Sequence, residues 1–302
     1  MFIKNVFLSF GSIIFQLIEQ IRKIYLNSPI YNKKISKIDD KTIIYKPNQN
    51  IFSCLIKFER KKYNIEDFSL NSVWKNSHNL HSKNFRKLHN FFWLFTLDLR
   101  SSKKITQNVI YNWISENYNY KQHIWDLDIL SKRIIAWISN SKLTYESADA
   151  EYKFHFNSLI KKQTNHLINE IKSSKKLDDK MIGSTAIILV GLSYGDSYYL
   201  RFGIDLLKQL LNFSLDSSNF PKSRNLRQLV FYLKYLIVIR ELLKESQTNI
   251  PDFLDETIFY LGKSYNLLCT HKKNGMLFNG NFEDNNKELD NFIVVASTET
   301  NT

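Results

Sequence analysis

Met181-Ile182-Gly183-Ser184-Thr185-Ala186-Ile187-Ile188-Leu189-Val190-Gly191-Leu192 decides the fold. The run holds no charge, and almost every residue in it is apolar or small. A helix that is apolar on all sides belongs inside a protein, so this one is placed at the centre. Before it, Phe156, Leu159, Gln163, His166, Leu167 and Ile171 recur at helical spacing. After it, Leu200 to Phe213, Leu226 to Leu243 and Phe253 to Leu268 follow the same period. Upstream, Phe85, Leu88, Phe92 and Phe95 mark one face. Ile105, Val109, Trp113 and Ile114 mark the next helix, and Leu130, Ile134, Trp137 and Ile138 another. The connections at Ser173 to Lys176, Gly195 to Ser197 and Ser246 to Asn249 are short and polar, which makes successive helices antiparallel neighbours. Six or more in series suggest stacked hairpins. No period of the TPR or HEAT kind occurs. The expectation is therefore an all-α chain, an (α/α) toroid built as an incomplete ring of antiparallel helix pairs, with a small non-helical N-terminal region. The boundaries read as 1–27 for an N-terminal amphipathic helix, 28–81 for an irregular, extended wrap, 82–295 for the toroid and 296–302 for a tail.

A chain of 302 residues with 43% hydrophobic and 14% aromatic residues can bury a large core, which argues against wholesale disorder. Eight glycines and four prolines exclude collagen-like composition. Two cysteines, Cys54 and Cys269, cannot frame disulfides or a Cys-rich zinc site, and both sit in apolar runs as buried thiols. Lys+Arg 42 against Asp+Glu 29 gives +13, spread along the chain instead of gathered in one arm. That pattern suits a solvated surface, an acidic polysaccharide or a membrane surface. No zinc finger, RNP-type aromatic pattern or basic zipper points to nucleic acid.

Val6 to Ile18 is too short and too interrupted to span a bilayer, and no small-residue cleavage site follows it. Ile3, Phe7, Phe10, Ile14, Leu17 and Ile21 give one apolar helical face. Such a helix either packs on the body or lies on an anionic membrane with Lys4, Arg22 and Lys23 among the headgroups. Either way a cytoplasmic chain is expected, membrane-peripheral in the second case.

No phosphate-binding loop, dinucleotide fingerprint, nucleophile elbow or H-E-x-x-H occurs, and neither cofactor nor metal is expected. His78, His81 and His89 cluster without acidic partners and read as structural, and His166 reads as a satisfied core histidine. Three segments remain. Arg133 and Trp137 are one helical turn apart, just after Trp125 and Asp126. An arginine fork can hold a carboxylate and an indole can stack on a sugar ring. The alternative is a tryptophan core with Arg133 paired to Asp126 or Asp128. In Asp216 to Leu226, Lys222 and Arg224 flank a helix start that can bind an anion. The alternative there is a cap by Ser223. In Asn274 to Asn281, two glycines mark tight turns, and Asn279 either faces a substrate carboxylate or belongs to a plain loop.

In this order the segments resemble the N-terminal domain of the heparinase II/III-like proteins, of the alphaproteobacterial type. His89-x-Phe91-x-Trp93-Leu94-x-x-Leu97-x-Leu99-Arg100 is similar to their H-x-F-x-W-L-R-D-L-R helix, with two extra residues after Trp-Leu. Trp113-Ile114, Trp125-Asp126 and Arg133-x-x-x-Trp137 resemble their W-I, W and R-x-x-x-W series. Pro221-Lys222-Ser223-Arg224-Asn225 is similar to D-G-G-H-x-S-R-S-P, and Leu277-Phe278-Asn279-Gly280 to L-F-N-G. The resemblance implies an (α/α) toroid followed by a large antiparallel β-domain, and polysaccharide lyase chemistry on uronate polymers. It implies glycan contact by Trp125, Asp126, Arg133, Trp137, Lys222, Arg224 and Asn279, with an acidic polysaccharide as partner. The histidine of the family's turn has no counterpart here: Pro221 stands there, and Asn219 only if the register slips by two. Tyr260 and Tyr265 lie in the interval for proton transfer. The expectation is a truncated lyase domain, weak or inactive alone, whose β-domain another chain supplies. The alternative is a non-enzymatic helical scaffold or glycan-binding module that docks on a membrane or partner through its N-terminal helix.

Overall fold

The computed structural model describes residues 14, 16–36, 41–56 and 83–269. Its elements are α-helices and short 3-10 turns, and no strand forms among these residues. In chain order the helices are α1 (16–26), α2 (Pro29–Ile35), α3 (Lys83–His89), α4 (Lys103–Asn117), α5 (Leu127–Ser139) and α6 (Ser141–Thr144). They continue with α7 (Ala150–Ile171), α8 (Leu177–Tyr194), α9 (Ser197–Ser214), α10 (Leu226–Glu245) and α11 (Asp252–Cys269). The described residues are all-α, as their periodicity requires.

Helix α8 takes the central position that its sequence demands. Every residue from Met181 to Tyr194 is buried, and the helix packs against α5, α7, α9 and α10. Its contact with α9 is the closest, and glycine makes it so. A Cβ added to Gly191 would lie 2.5 Å from the Leu200 amide nitrogen, and one on Gly203 would lie 2.6 Å from Ile188 Cγ1. The hairpin between the two helices is set by Gly195, whose φ of +61° ends α8 in the left-handed conformation. Asp196 then caps α9, accepting from the Tyr198 and Tyr199 amides at 2.9 and 3.1 Å.

The segment 41–56 runs extended and then as the 3-10 turn Gln49–Leu55. It clasps helices distant in sequence. The Ile44 and Tyr45 amides donate to Ser193 O at 2.8 and 3.2 Å. The Tyr45 hydroxyl and the Asn48 amide donate to Glu245, and Gln49 Nε2 donates to Asn140 Oδ1 at 2.7 Å. Within it Phe52 and Cys54 are buried, and the Cys54 thiol donates to Lys234 O at 3.6 Å. The Cys269 side chain and the tail lie outside the described residues.

Two stretches differ from expectation. The wrap opens with the helix α2, because Ser28 accepts from the Tyr31 amide at 3.1 Å and Pro29 pre-sets the first turn. The expected single helix through Phe85, Leu88, Phe92 and Phe95 stops at His89. Phe91 takes a left-handed φ of 58°, and the 3-10 turn Phe92–Thr96 follows.

Candidate functional site

The motifs between His89 and Trp137 converge on one place. Arg133 on α5 is fully buried, and its guanidinium lies 4.3 Å from the Trp113 ring centre. Its Nη1 donates to His89 O at 2.8 Å and to Ile124 O at 3.2 Å, and its Nε donates to Gln163 Oε1 at 3.2 Å. Trp113 Nε1 donates to His89 Nδ1 at 3.0 Å. Trp137 meets Trp113 edge-on at 5.5 Å and Phe91 at 5.2 Å, and stacks on Phe156 at 5.3 Å. Residues 48 positions apart in the chain, from His89 to Trp137, thus form one buried unit. Burial, with the Arg133 charge beside it, lowers the His89 pKa to about 3.

This geometry decides between the two readings of the segment. Trp125, Arg133 and Trp137 are 1%, 0% and 0% exposed, so in this fold none offers a face to a polymer. The core reading holds for the tryptophans, but the pairing expected for Arg133 does not form. Its acceptors are carbonyl and amide oxygens, and Arg86 from α3 takes both carboxylates instead. Arg86 bonds Asp128 closely and reaches Asp126 at 3.4 Å. Asp126 stays at the surface with its side chain 42% exposed, and partial burial pushes its pKa up against the pull of Arg86. Arg86 was legible only as a cation three residues before His89 on a short helix.

Trp125 and Asp126 also border a polar recess of about 170 Å³, together with Arg22, Tyr120, His166 and Glu170. His166 is the satisfied core histidine expected. Its Nδ1 lies 2.7 Å from the Tyr31 hydroxyl, the ring also bonds the Trp125 backbone, and burial lowers its pKa to about 3.

The turn between α9 and α10 is organised around Asp216. Its carboxylate accepts from the Ser218 and Phe220 amides at 2.9 and 3.0 Å and pairs with Arg224 at 2.8 Å. Backbone donors and Arg224 lower the Asp216 pKa. Lys222 Nζ donates to Phe213 O at 2.8 Å, at the end of α9, where the helix carbonyls favour a cation. The cap of α10 is Asn225, which accepts from the Arg227 amide at 2.9 Å, and not Ser223. Asn219 sits at the turn with φ 56°. Tyr260 and Tyr265 both lie on α11, the first 41% exposed and the second turned into the core. Asn279, with its glycine-flanked segment, and His78 and His81 lie outside the described residues.

Two features escaped the sequence reading. A groove of about 370 Å³ between α4 and α7 is lined by Tyr111, Tyr118, Phe154 and His155. Beside it Lys162 is 1% exposed, with its Nζ 3.1 Å from Asn119 Oδ1 and 4.0 Å from the Tyr118 ring centre. Burial lowers its pKa to about 8. Its neighbour Lys161 is equally buried and donates to Lys41 O at 2.6 Å, tying the 41–56 segment to α7. A Lys-Lys pair on a helix reads as solvated surface, which is why neither drew notice. Among the described residues no group of three or more His, Cys, Asp or Glu could hold a metal.

Comparison of the chain with protein-family models, with curated proteins and with solved structures finds no match.

Proposed function

We propose that the chain is a helical domain of the heparinase II/III-like kind that binds acidic, uronate-containing polysaccharide. The observation that carries the reading is the convergence of His89, Trp113, Trp125, Arg133 and Trp137. They were picked out as an ordered set of short motifs, and they pack in one region around α5. The role assigned to these residues is to hold the helices of an (α/α) toroid in place. Glycan contact then falls to Lys222 and Arg224, exposed at the α9–α10 turn, and to Asp126 beside the polar recess, with Asn279 outside the described residues. The excess of 42 Lys+Arg over 29 Asp+Glu favours a polyanion in the same sense.

In a β-elimination, a cation or amide neutralises the uronate carboxylate, a base takes the C5 proton and an acid protonates the leaving oxygen. In this proposal Arg224 and Lys222 serve the first role. The half-buried Asn219 amide can share that role, and the exposed Tyr260 is the candidate for proton transfer, with the buried Tyr265 on the same helix. Turnover is expected to be weak or absent, because Pro221 stands where the turn of the resembled family carries histidine.

The experiment is retention on immobilised heparin, with heparan sulfate and alginate as competitors, alongside ultraviolet absorbance of the unsaturated uronate product. Binding that weakens with salt and with Lys222→Glu/Arg224→Glu supports the reading. Product formation extends it to a lyase. Absence of both binding and turnover refutes it.

A further inference from the structure

Helix α1 is mounted the wrong way round for a globular protein. An amphipathic surface helix normally turns its apolar stripe to the core. Here the polar side meets the body: Arg22 bonds the Glu170 carboxylate on α7 and reaches Ser173 Oγ at 3.4 Å. Leu26 alone of its large aliphatic side chains is buried among the described residues. Leu17, Ile18, Ile21 and Ile24 are 57%, 58%, 65% and 72% exposed, and Ile14 precedes them at 46%. At 100° per residue these five fall within a stripe of about 120°, and ten residues of helix carry it for about 15 Å. Helix α2 adds Ile30, 75% exposed, with Lys33 and Lys34 exposed one turn further on the same face. A contiguous apolar strip of this kind marks an interaction surface.

We propose that α1 lies in the plane of a lipid surface that carries anionic headgroups, with its isoleucine stripe among the acyl chains. Three observations favour that occupant. The stripe is the ridge of a single helix, which a fluid interface accommodates without a shaped cleft. Exposed lysines follow it in the chain on α2, and the chain as a whole carries +13. A second copy would bring two surfaces of the same sign together. The sequence before Ile14 continues the apolar period through Ile3, Phe7 and Phe10. No described helix is long and apolar enough to cross a membrane, so the contact is peripheral. The proposal is independent of the glycan reading.

The test is co-sedimentation of the full chain with phosphatidylcholine vesicles, with and without phosphatidylserine. The double variant Ile18→Glu/Ile21→Glu changes two exposed positions, and circular dichroism with a thermal melt checks that its fold is intact. The wild type is expected to pellet with the phosphatidylserine vesicles, and the variant to lose about ten-fold or more of that binding, since each Ile forfeits its apolar transfer. Lys33→Glu/Lys34→Glu, or about 1 M salt, is expected to weaken binding through the charge component. Heparin retention of both variants should match the wild type, which separates this result from the glycan result. Equal pelleting of wild type and Ile18→Glu/Ile21→Glu would overturn the proposal, as would no pelleting at all. A concentration-dependent dimer by light scattering, abolished by the double variant and without vesicle binding, would also overturn it and assign the stripe to a second copy.

Discussion

Replacing Arg133 by methionine separates a guanidinium that builds the core from one that meets a ligand. The methionine keeps much of the volume, so the cavity cost is small. What is lost is a set of charge-assisted bonds to His89 O, Ile124 O and Gln163 Oε1, plus the face of Trp113. Each acceptor left without a donor costs about 1–3 kcal/mol. Against that, methionine spares the cost of burying a charge, and that relief is large because Arg133 has no carboxylate partner among the described residues. The net expectation is a destabilisation of about 3 kcal/mol, the three unpaired acceptors outweighing that relief. For a domain of this size that is a fall of about 6–12 °C in Tm. Arg133→Lys should fall between the two, since an ammonium can serve one or two of the acceptors but not the fork. Urea unfolding monitored by tryptophan fluorescence measures it, because Trp113 and Trp137 pack in the same unit. A variant as stable as the wild type, with heparin retention lost, would refute the assignment of Arg133 to the core.

Three further outcomes follow from the packing and the buried charges. Gly191→Ala places a methyl 2.5 Å from the Leu200 backbone nitrogen and should cost about 3 kcal/mol in urea unfolding, whereas an alanine at an open surface site would cost little. His89 and His166 are held neutral, with folded pKa values of about 3, below the unfolded value of about 6.5. The unfolded chain therefore binds more protons in that window, and stability is full above about pH 6.5 and falls toward pH 3. Near pH 5 each histidine should cost about 2 kcal/mol, and His166→Gln should flatten the pH profile of urea midpoints. Lys162, with its pKa lowered to about 8, is expected to tolerate methionine, which removes a buried charge that Asn119 and Tyr118 offset through neutral contacts. Lys162→Met should match or exceed wild-type stability at pH 7, and a loss above about 2 kcal/mol would contradict that.

The helices were legible because their apolar period is strong, and α8 most of all, since a run with no polar face has only one place to go. The break at Phe91 was hidden because Phe85, Leu88, Phe92 and Phe95 keep helical spacing across a residue that leaves the helical conformation. Helix α2 carried its own signal in Ser28-Pro29, overlooked beside the weakly periodic residues that follow. For the candidate site, spacing placed Arg133 and Trp137 on one face of α5. Spacing does not say which way a face points, and α5 is buried on nearly all of its faces from Ile129 to Ser139. Nor does it show that Arg86, forty residues upstream of Asp126, arrives first at the acidic pair.

The segment 41–56 bears on how the chain is born. Tyr45 closes onto Glu245, 200 residues later, and Lys41 waits for Lys161. At about 5–20 residues per second a ribosome needs roughly 10–40 s to make the stretch between Tyr45 and its partner. Through that interval Phe52 and Cys54 have no cover from α10, and a chaperone that favours emerging apolar peptides would find this segment open to it.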